Sequence, residues 1–354
     1  MGFVPRPLGF DQGWKKSLWL ENAFETILSQ KYPRIKAISY WHERWENADG
    51  VFSNLRLDSS LDSLDVYRTQ IQSSQFMTDP VFSGDKGNLK LVPLQNKIYL
   101  SAFPDLGGSE DVVTTSRVRE FESLVGKSLP WVYFSNNWYE GIHFPVKAVQ
   151  RILSMGKVPF IRLMMRSRSQ SLPDPKYNLQ DFVDGRYDEA LYQWAKEAKQ
   201  LGVPLILEFG TEVNGDWFPW SGAQNGGGNQ DGFWDSSLAD GPERFQHAYR
   251  HLVRIFREVG VADVTWFFHV DGEGAPSESW NRFSHYYPGD EWVDWIGLSL
   301  YGPIRPEGIG YESFESKLSQ IYPELAAISP HKPLAIIEWG ITENQMERNA
   351  AKLP

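Results

Sequence analysis

Residues 204–220 read PLILEFGTEVNGDWFPW, and this stretch decides how the whole chain is interpreted. Its first part, Leu205 to Phe209, is a short apolar run bounded by a proline and a glycine, as expected of a buried β-strand. Glu212 follows the strand, and the glycine, asparagine and aromatic residues after it are typical of a loop that lines a cleft. The stretch therefore predicts a buried strand that places a carboxylate at its carboxyl end.

Similar apolar runs alternate with segments of helical period along the chain. The predicted strands cover residues 34–40, 98–103, 131–134, 158–164, 204–209, 264–268, 292–298 and 333–337. Parallel strands that are apolar on both faces are what a closed barrel requires. We therefore predict an α/β protein with one (β/α)8 TIM barrel over residues 1–354. An open doubly wound sheet is the alternative, and it is weakened because no G-x-G-x-x-G motif follows the first strand.

Two long polar stretches interrupt this pattern. Residues 77–97 resemble a linker, but we interpret them as an internal connection within the barrel. The loop from Ser221 to Gly241 is rich in glycine and asparagine. Long loops after barrel strands usually shape the cleft, so no domain boundary is predicted in either stretch.

Composition and charge exclude several classes of function. The 354 residues include 35 basic and 45 acidic side chains, and the net charge of −10 disfavours nucleic acid or an anionic membrane as partner. No apolar run approaches the length of a membrane span. The chain has no cysteine, which excludes disulfides, thiolate zinc sites and thiol catalysis. We expect a monomer.

Metal and location signals are weak. His247 and His251 have the spacing of a helical zinc pair, but no acidic residue lies between them, so no metal or other cofactor is predicted. Met1 to Phe10 contains no long apolar segment, so no signal peptide is predicted there. If a signal was removed, the expected location is extracellular or periplasmic.

Two glutamates are the main catalytic candidates. Glu212 and Glu338 each lie near the end of an apolar strand beside tryptophan, where poor solvation raises the pKa of an unpaired carboxyl. Two such groups on either side of a sugar can divide glycosidic cleavage between a protonated donor and an ionised nucleophile. The structural alternative is that either glutamate only forms a salt bridge in the barrel mouth.

Four segments in this order resemble family-26 glycoside hydrolases. Residues 211–220 resemble the acid/base motif His-Glu-x-Asn-Gly-x-Trp-Phe, and Tyr249-Arg-His251 matches a step on the next helix. Residues 293–301 look like the strand of the family that ends in a tyrosine, and residues 333–340 look like its nucleophile strand. The resemblance covers most of the chain and implies a (β/α)8 barrel.

The resemblance also implies roles for individual residues. Glu212 would be the general acid/base, Glu338 the nucleophile and Tyr301 the residue that orients Glu338, while Trp217 would stack on a sugar. The family retains anomeric configuration, which implies carboxyl groups about 5–5.5 Å apart. The expected partner is a β-linked polysaccharide or oligosaccharide. Mannan is the first choice, and mixed-linkage glucan and β-1,3-xylan stay open.

Further side chains are predicted to bind the substrate. They are aromatic or polar and lie in or near the strand ends: Trp217, Trp220, Trp41, Trp339, Asn214, Thr211, Trp138, His143 and Arg162. His42 and Glu43 follow the front strand and are also candidates for lining the cleft. A glycan-binding barrel without catalysis and a transglycosylase are the competing functions.

Three departures from the family pattern concern substrate and chain order. Thr211 stands where the family usually has histidine, and Glu208 stands where arginine is common, with Arg162 as its candidate partner on the adjacent strand. Residues 32–41 and 55–60 resemble the family's last strand and the run into its last helix, although here they come first. We interpret the chain as a circularly permuted barrel joined through residues 77–97. A fragment of two tandem copies, or strand swapping between chains, is the alternative.

Overall fold

The computed structural model describes residues 15–85, 87–169, 171–306 and 311–343. The signal-peptide prediction for Met1 to Phe10 therefore lies outside the described residues. Within the described ranges, every helix is too short or too polar to cross a membrane.

Eight long strands form the barrel. Their bounds are β1 Ile35–His42, β2 Ile98–Pro104, β3 Trp131–Asn137, β4 Val158–Met164, β5 Leu205–Phe209, β6 Val264–Asp271, β7 Trp295–Tyr301 and β8 Leu334–Gly340. Each coincides with a predicted strand, and β3, β6, β7 and β8 each continue three residues past the predicted end. β7 starts three residues later than predicted, directly after Asp294, whose carboxylate accepts from the Trp266 backbone N–H at 2.8 Å.

The helices surround the barrel. Their bounds are α1 Lys16–Leu28, α2 Leu61–Gln70, α3 Thr115–Val125, α4 Val146–Ser154, α5 Leu179–Val183, α6 Asp188–Leu201, α7 Asp240–Val259 and α8 Phe314–Ile328. Ser60, Thr114, Asn178 and Ser313 cap the amino ends of α2, α3, α5 and α8, where each side chain accepts from a backbone N–H that has no partner within the helix. Each helix buries its apolar face against the outside of the strands.

The strands are neighbours in chain order, and the first strand pairs with the last. β3 to β8 form consecutive parallel pairs, β8 pairs with β1, and β1 pairs with β2. β2 and β3 meet through side chains: the Tyr99 and Trp131 rings lie 5.7 Å apart, and Ser101 Oγ donates to the Trp131 carbonyl at 3.2 Å. The predicted (β/α)8 barrel is confirmed.

Residues 77–85 and 87–97 lie under the barrel, at the amino ends of its strands. The paired segments Phe82–Ser83 and Lys90–Leu91 cross the amino ends of β6 and β7. The Leu91 backbone N–H donates to Thr265 Oγ1 at 2.8 Å, and Trp295 Nε1 donates to the Leu91 carbonyl at 3.0 Å. These contacts tie the segment to the amino ends of β6 and β7, and its role as an internal connection stays a prediction.

The barrel interior changes from apolar to charged towards the carboxyl ends of the strands. Phe160, Phe267 and Trp295 fill a lower layer, with Phe160–Phe267 and Phe267–Trp295 ring distances of 4.9 and 5.5 Å. Successive side chains of a strand point to opposite faces, so the residues two positions later again face inwards. These are Arg162 on β4 and His269 on β6, and Glu208 on β5 lies in register with Arg162. The lower layer therefore supports a polar layer directly beneath the barrel mouth.

Candidate active site

One cavity at the carboxyl ends of the strands contains both predicted catalytic glutamates. It has a volume of about 660 Å³, and Glu212 and Glu338 both line it. The other lining side chains that matter for its chemistry are Trp41, Glu43, Trp45, Glu110, Arg162, Trp217, Phe218, Asp271, Glu273, Ser299, Tyr301 and Lys317. The rim where the strands end is the usual position of active sites in such barrels.

The turn after β5 holds Glu212 in an unusual backbone conformation. Glu212 has a φ of +50°, in the left-handed region that costs a non-glycine residue about 1–3 kcal/mol. The turn is closed by the Gly215 N–H, which donates to the Glu212 carbonyl at 2.8 Å. Such strained residues often occur at functional sites. Here the turn directs a buried carboxyl into the cavity.

Trp217 contacts the carboxyl of Glu212 directly. Its indole Nε1 donates to Glu212 Oε2 at 2.8 Å, and the side chain is 41% exposed. The ring packs over Gly215, where a Cβ atom would come within 2.5 Å of it. A glycine at this position therefore allows the indole to lie beside the carboxyl.

Glu338 extends from β8 into a set of hydrogen-bond donors. The Tyr301 and Tyr133 hydroxyls each donate to it at 3.0 Å, and Arg162 Nη2 lies 3.4 Å from Oε1. Burial raises the pKa of Glu338, while the charges of Arg162 and His269 oppose that rise. These donors favour the ionised carboxylate and hold it in one orientation.

The environment of Glu212 favours the protonated form. Burial is the largest cause, the negative charges of Glu338 and Asp271 add to it, and together they raise the pKa of Glu212 to about 8. One carboxyl of the cavity therefore keeps its proton at neutral pH while the other is surrounded by donors. The pKa of both carboxyls is raised, but only Glu338 lies against a guanidinium and two hydroxyl donors.

Other carboxyls make the cavity strongly acidic. Burial, together with the charges of Glu110 and Asp105, raises the pKa of Glu43 to about 8, and Trp41 Nε1 donates to Glu43 at 3.1 Å. Burial also works against ionisation of Glu110, but Arg162 and Arg166 lower its pKa below the ordinary value. Glu110 Oε2 lies 3.3 Å from Arg162 Nη1.

Two of the predicted tryptophan platforms lie at the cavity. Trp41 and Trp217 both line it, and the Trp41 ring stacks on Phe103 at 4.0 Å with an interplanar angle of 9°. This stacking holds the Trp41 ring rigidly. Glu43, a candidate from the sequence, also lines the cavity, whereas His42 is buried elsewhere and accepts from the Leu57 N–H. That sugar stacks on these rings stays a prediction.

Three other tryptophans are buried outside the cavity, so their predicted placement at the cleft is wrong. Trp339 follows Glu338 on the same strand, so it faces the helices, where it packs against Trp19 at 6.1 Å. Trp220 stacks on Phe218 and donates to the Thr211 carbonyl at 2.8 Å. Trp138 packs edge-on against Tyr177. Their apolar surfaces stabilise the core.

His143, Asn214 and Thr211 are not among the residues that line the cavity, and their role in binding stays a prediction. His143 is exposed, and its Nε2 contacts the Glu140 carbonyl at 3.2 Å. Asn214 forms two hydrogen bonds of 2.8 Å with the backbone of Asp271, which fixes the end of β6. The Thr211 hydroxyl is buried and donates to Glu208 Oε1 at 2.5 Å.

The predicted pairing of Glu208 with Arg162 is confirmed. Arg162 Nε lies 3.5 Å from Glu208 Oε1, and both residues are buried. Glu208, His269 and Glu338 also place potential metal-ligand atoms within 4.8 Å of one another. A cation at that point would meet the Arg162 guanidinium, which contacts two of the three, so this donor set is a poor cation site.

His247 and His251 do not share a site: His247 stacks on Trp234, and His251 contacts Asp188.

Sequence reasoning missed several polar residues of the interior. They lie on strands other than those of the two glutamates and share the inward parity: Tyr133, His269, Asp271 and Ser299. The sequence did contain a signal for His269 and Asp271. They lie two positions apart at the end of β6, so their side chains must face the same side of the strand. Their partners come from other strands, so their interactions could not be read from spacing.

A protein-family model matches the part of the chain that contributes Glu212 and Tyr301 to this cavity. Residues 173–327 match the model described as Glycosyl hydrolase family 26. The match covers 155 of the 354 residues, which is less than half of the chain. It includes Glu212 and Tyr301, and the family expected from the motif around Glu212 is confirmed.

Two similar proteins carry the names of enzymes that act on different substrates. Endoglucanase H of Acetivibrio thermocellus is 28% identical over 231 residues, which cover 64% of this chain and 23% of that protein. A β-1,3-xylanase of a Vibrio species is 25% identical over 128 residues, 35% of this chain and 23% of that protein. The chain thus spans less than a quarter of the length of either relative.

A solved family-26 structure gives a distant match. The family-26 domain of an endo-β-mannanase/endo-β-glucanase from Prevotella bryantii has 15% identity and a TM-score of 0.45, and the match covers 69% of this chain and 77% of that one. Circular permutation relative to the family stays a prediction. A ring of eight strands in chain order has the same neighbours whichever strand comes first.

Proposed function

We propose that the chain is a retaining endo-glycoside hydrolase that cleaves a β-linked polysaccharide by double displacement. The proposal is supported above all by the opposed environments of two carboxyls on one cavity. Glu212 has its pKa raised to about 8, whereas Glu338 receives hydrogen bonds from two tyrosines and faces a guanidinium. A protonated donor and an ionised nucleophile are the two groups that this reaction needs.

In the first step Glu338 attacks the anomeric carbon while Glu212 gives its proton to the leaving glycosidic oxygen. The glycosidic C–O bond breaks, a bond forms between the anomeric carbon and a Glu338 oxygen, and Glu212 becomes a carboxylate. Tyr301 and Tyr133 keep the Glu338 carboxylate oriented towards the carbon. The Trp217 N–H stabilises the negative charge that develops on Glu212.

In the second step the Glu212 carboxylate removes a proton from water, and the water oxygen attacks the anomeric carbon. The bond to Glu338 breaks, so Glu338 leaves as a carboxylate and Glu212 is again protonated. Two inversions at the same carbon give net retention. Neither step requires a proton source other than the pair itself and the bulk water.

The substrate is a neutral polymer in this proposal. Among charged lining residues, six carboxylic side chains face only Arg162 and Lys317 within the described cavity. Acidic sugars would be repelled by the carboxylates that are ionised. β-1,4-Mannan is our first choice, and mixed-linkage glucan and β-1,3-xylan are alternatives that agree with the named activities of the relatives.

The test measures the release of reducing ends from these three glycans. Proton NMR then identifies the anomer that forms first. We expect one to be cleaved with retained configuration. A barrel that only binds would retard migration in a glycan gel and release nothing, and a transglycosylase would produce longer products. Either result would reject hydrolysis.

The roles of the two glutamates can be assigned by azide rescue. Glu338→Ala and Glu212→Ala should each lose at least about three orders of magnitude in turnover. With azide present, Glu338→Ala should form an α-glycosyl azide and Glu212→Ala a β-glycosyl azide. The products differ because azide attacks the anomeric carbon from opposite faces in the two variants. Glu243→Gln is the matched control, because Glu243 is buried but lies outside the cavity. The reverse pattern of azide products would exchange the two roles.

A further inference from the structure

A chain of buried polar side chains connects the two catalytic candidates from below. It starts at Glu208 on β5, whose Oε2 lies 3.2 Å from His269 Nδ1. The other ring nitrogen of His269, Nε2, lies 2.8 Å from Ser299 Oγ. Ser299 and Glu212 both line the cavity, and a hydrogen bond from Ser299 works to lower the pKa of the Glu212 carboxyl.

Glu208 also reaches the other catalytic candidate. The Tyr133 hydroxyl lies 2.7 Å from Glu208 Oε1 and 3.0 Å from Glu338 Oε1. The Arg162 guanidinium lies within 3.5 Å of Glu208 and 3.4 Å of Glu338. Glu208 therefore contacts one group of the pair through Tyr133 and Arg162, and the other through His269 and Ser299.

We infer that Glu208, His269 and Ser299 form a positioning relay that holds an imidazolium beneath Glu212 and stabilises its ionised form between the two steps. This inference rests on the proposed function, since it assigns the relay to the step in which Glu212 has lost its proton. None of the three residues reacts with the sugar. Their effect on the reaction is exerted through the Glu212 carboxyl.

The donor and acceptor properties of the groups set the direction of the relay. The contact between His269 Nδ1 and Glu208 Oε2 has the distance of an ion pair without the alignment of a hydrogen bond, and an ionised carboxylate favours a protonated Nδ1 at that distance. If Nε2 is also protonated, it donates to Ser299 Oγ and leaves the hydroxyl proton free to point at Glu212. Ser299 then donates to Glu212 when Glu212 is a carboxylate.

The charges agree with this direction. Burial alone would neutralise both members of the Glu208–His269 pair, but each raises the stability of the other's charged form. Arg162 and the Thr211 hydroxyl further lower the pKa of Glu208. Both directions favour the ionised pair, whose mutual attraction inside the barrel is stronger than it would be in water.

The relay and the other groups that face Glu212 act on its pKa in opposite directions. Burial, Glu338 and Asp271 raise the pKa of Glu212, whereas His269 and Ser299 lower it. Glu338 is different: its hydroxyl donors are Tyr133 and Tyr301, and although Ser299 is its register neighbour on the adjacent strand, the hydrogen bond of Ser299 acts on the pKa of Glu212. Removing the Ser299 hydroxyl should therefore change the titration of one carboxyl and leave that of the other unchanged.

The activity test compares Ser299→Ala with Ser101→Ala. Ser101 is the matched control, because it is a buried strand serine that donates to a backbone carbonyl away from the cavity. With whichever of the three glycans the wild type cleaves, Ser299→Ala should lower kcat about tenfold and move the alkaline limb of kcat/KM up by about one pH unit. The acid limb should stay in place. Ser299→Thr, which keeps the hydroxyl, should return the alkaline limb to its wild-type pH.

A second measurement does not depend on activity. In protein labelled with ¹⁵N-histidine, the His269 resonances, assigned with His269→Gln, should be those of an imidazolium at pH 7. Glu208→Gln should make the same ring neutral at that pH, while His285, an exposed histidine, should titrate alike in both proteins. A neutral His269 in the wild type, or an unmoved alkaline limb in Ser299→Ala, would overturn the relay. Absence of hydrolysis in the wild type combined with an imidazolium at His269 would reject only the proposed function.

Discussion

The hydroxyl of Tyr133 lies between two carboxylates, at 2.7 Å from Glu208 and 3.0 Å from Glu338. One hydroxyl has a single proton, so the two acceptors share it. Burial and the two negative charges raise the pKa of Tyr133 well above its ordinary value, which keeps this proton on the phenol. The predicted nucleophile is thus coupled to a buried acid on another strand.

Tyr133→Phe tests this coupling. The variant removes a donor from ionised Glu338 without changing the shape of the ring, so turnover should fall about tenfold. The acid limb of the pH profile should move to higher pH, because the carboxylate has lost a stabilising hydrogen bond. Tyr177→Phe is the control, since the Tyr177 hydroxyl donates to a backbone carbonyl at 3.2 Å outside the cavity. Equal losses in both variants would indicate a purely structural effect.

The raised pKa of Glu212 makes stability depend on pH. Its value is about 8 in the folded chain and 4.5 for an ordinary glutamate, so the folded state binds this proton more tightly than the unfolded state does. The associated stability is fully present below pH 4.5 and is lost as the pH rises through about 8. Glu212→Gln should therefore lose less stability than the wild type between pH 6 and pH 9.

Urea denaturation at these two pH values measures the difference. Glu43 also has a pKa raised to about 8, so Glu43→Gln should show a similar change, and the double variant should show the sum if the sites are independent. Identical pH dependence in the wild type and Glu212→Gln would contradict a raised pKa at this residue.

Gly215→Ala tests whether the packing of Trp217 supports the acid. The added methyl group would meet the indole within 2.5 Å, so the ring must move and its hydrogen bond to Glu212 must break. We expect kcat/KM to fall about tenfold, as for the loss of one hydrogen bond to a charged group. In a Trp217→Ala background the same substitution should have little further effect. Additive losses in the double-mutant cycle would separate Gly215 from Trp217.

Tryptophans at the cavity and in the core should respond differently to truncation. Trp339 is fully buried, so Trp339→Ala should cost about 3–5 kcal/mol of stability. Trp217→Ala should leave Tm nearly unchanged and lower kcat/KM, because its ring is 41% exposed at the cavity. Calorimetry and initial rates distinguish the two outcomes. A large fall in Tm for Trp217→Ala would indicate that its ring is mainly structural.

The sequence by itself determined the barrel and the placement of its two principal carboxyls on the cavity. Apolar runs such as Leu205 to Phe209 predict buried strands because a strand that is covered on both faces cannot carry many polar side chains. Glu212 and Glu338 were found because each occupies the end of such a run. Parallel strands bring their carboxyl ends to one rim, so residues far apart in the chain meet there.

Only the tertiary structure decided which neighbours of these residues face the cavity. Trp339 and Glu338 are adjacent in sequence, yet the alternation of the strand turns one into the core and the other into the mouth. The partners of Glu208 come from β3, β4 and β6, and Tyr133 lies 75 positions away in the chain. Such contacts depend on how the barrel closes, because hydrogen bonds and charges act over distances in space and not along the sequence.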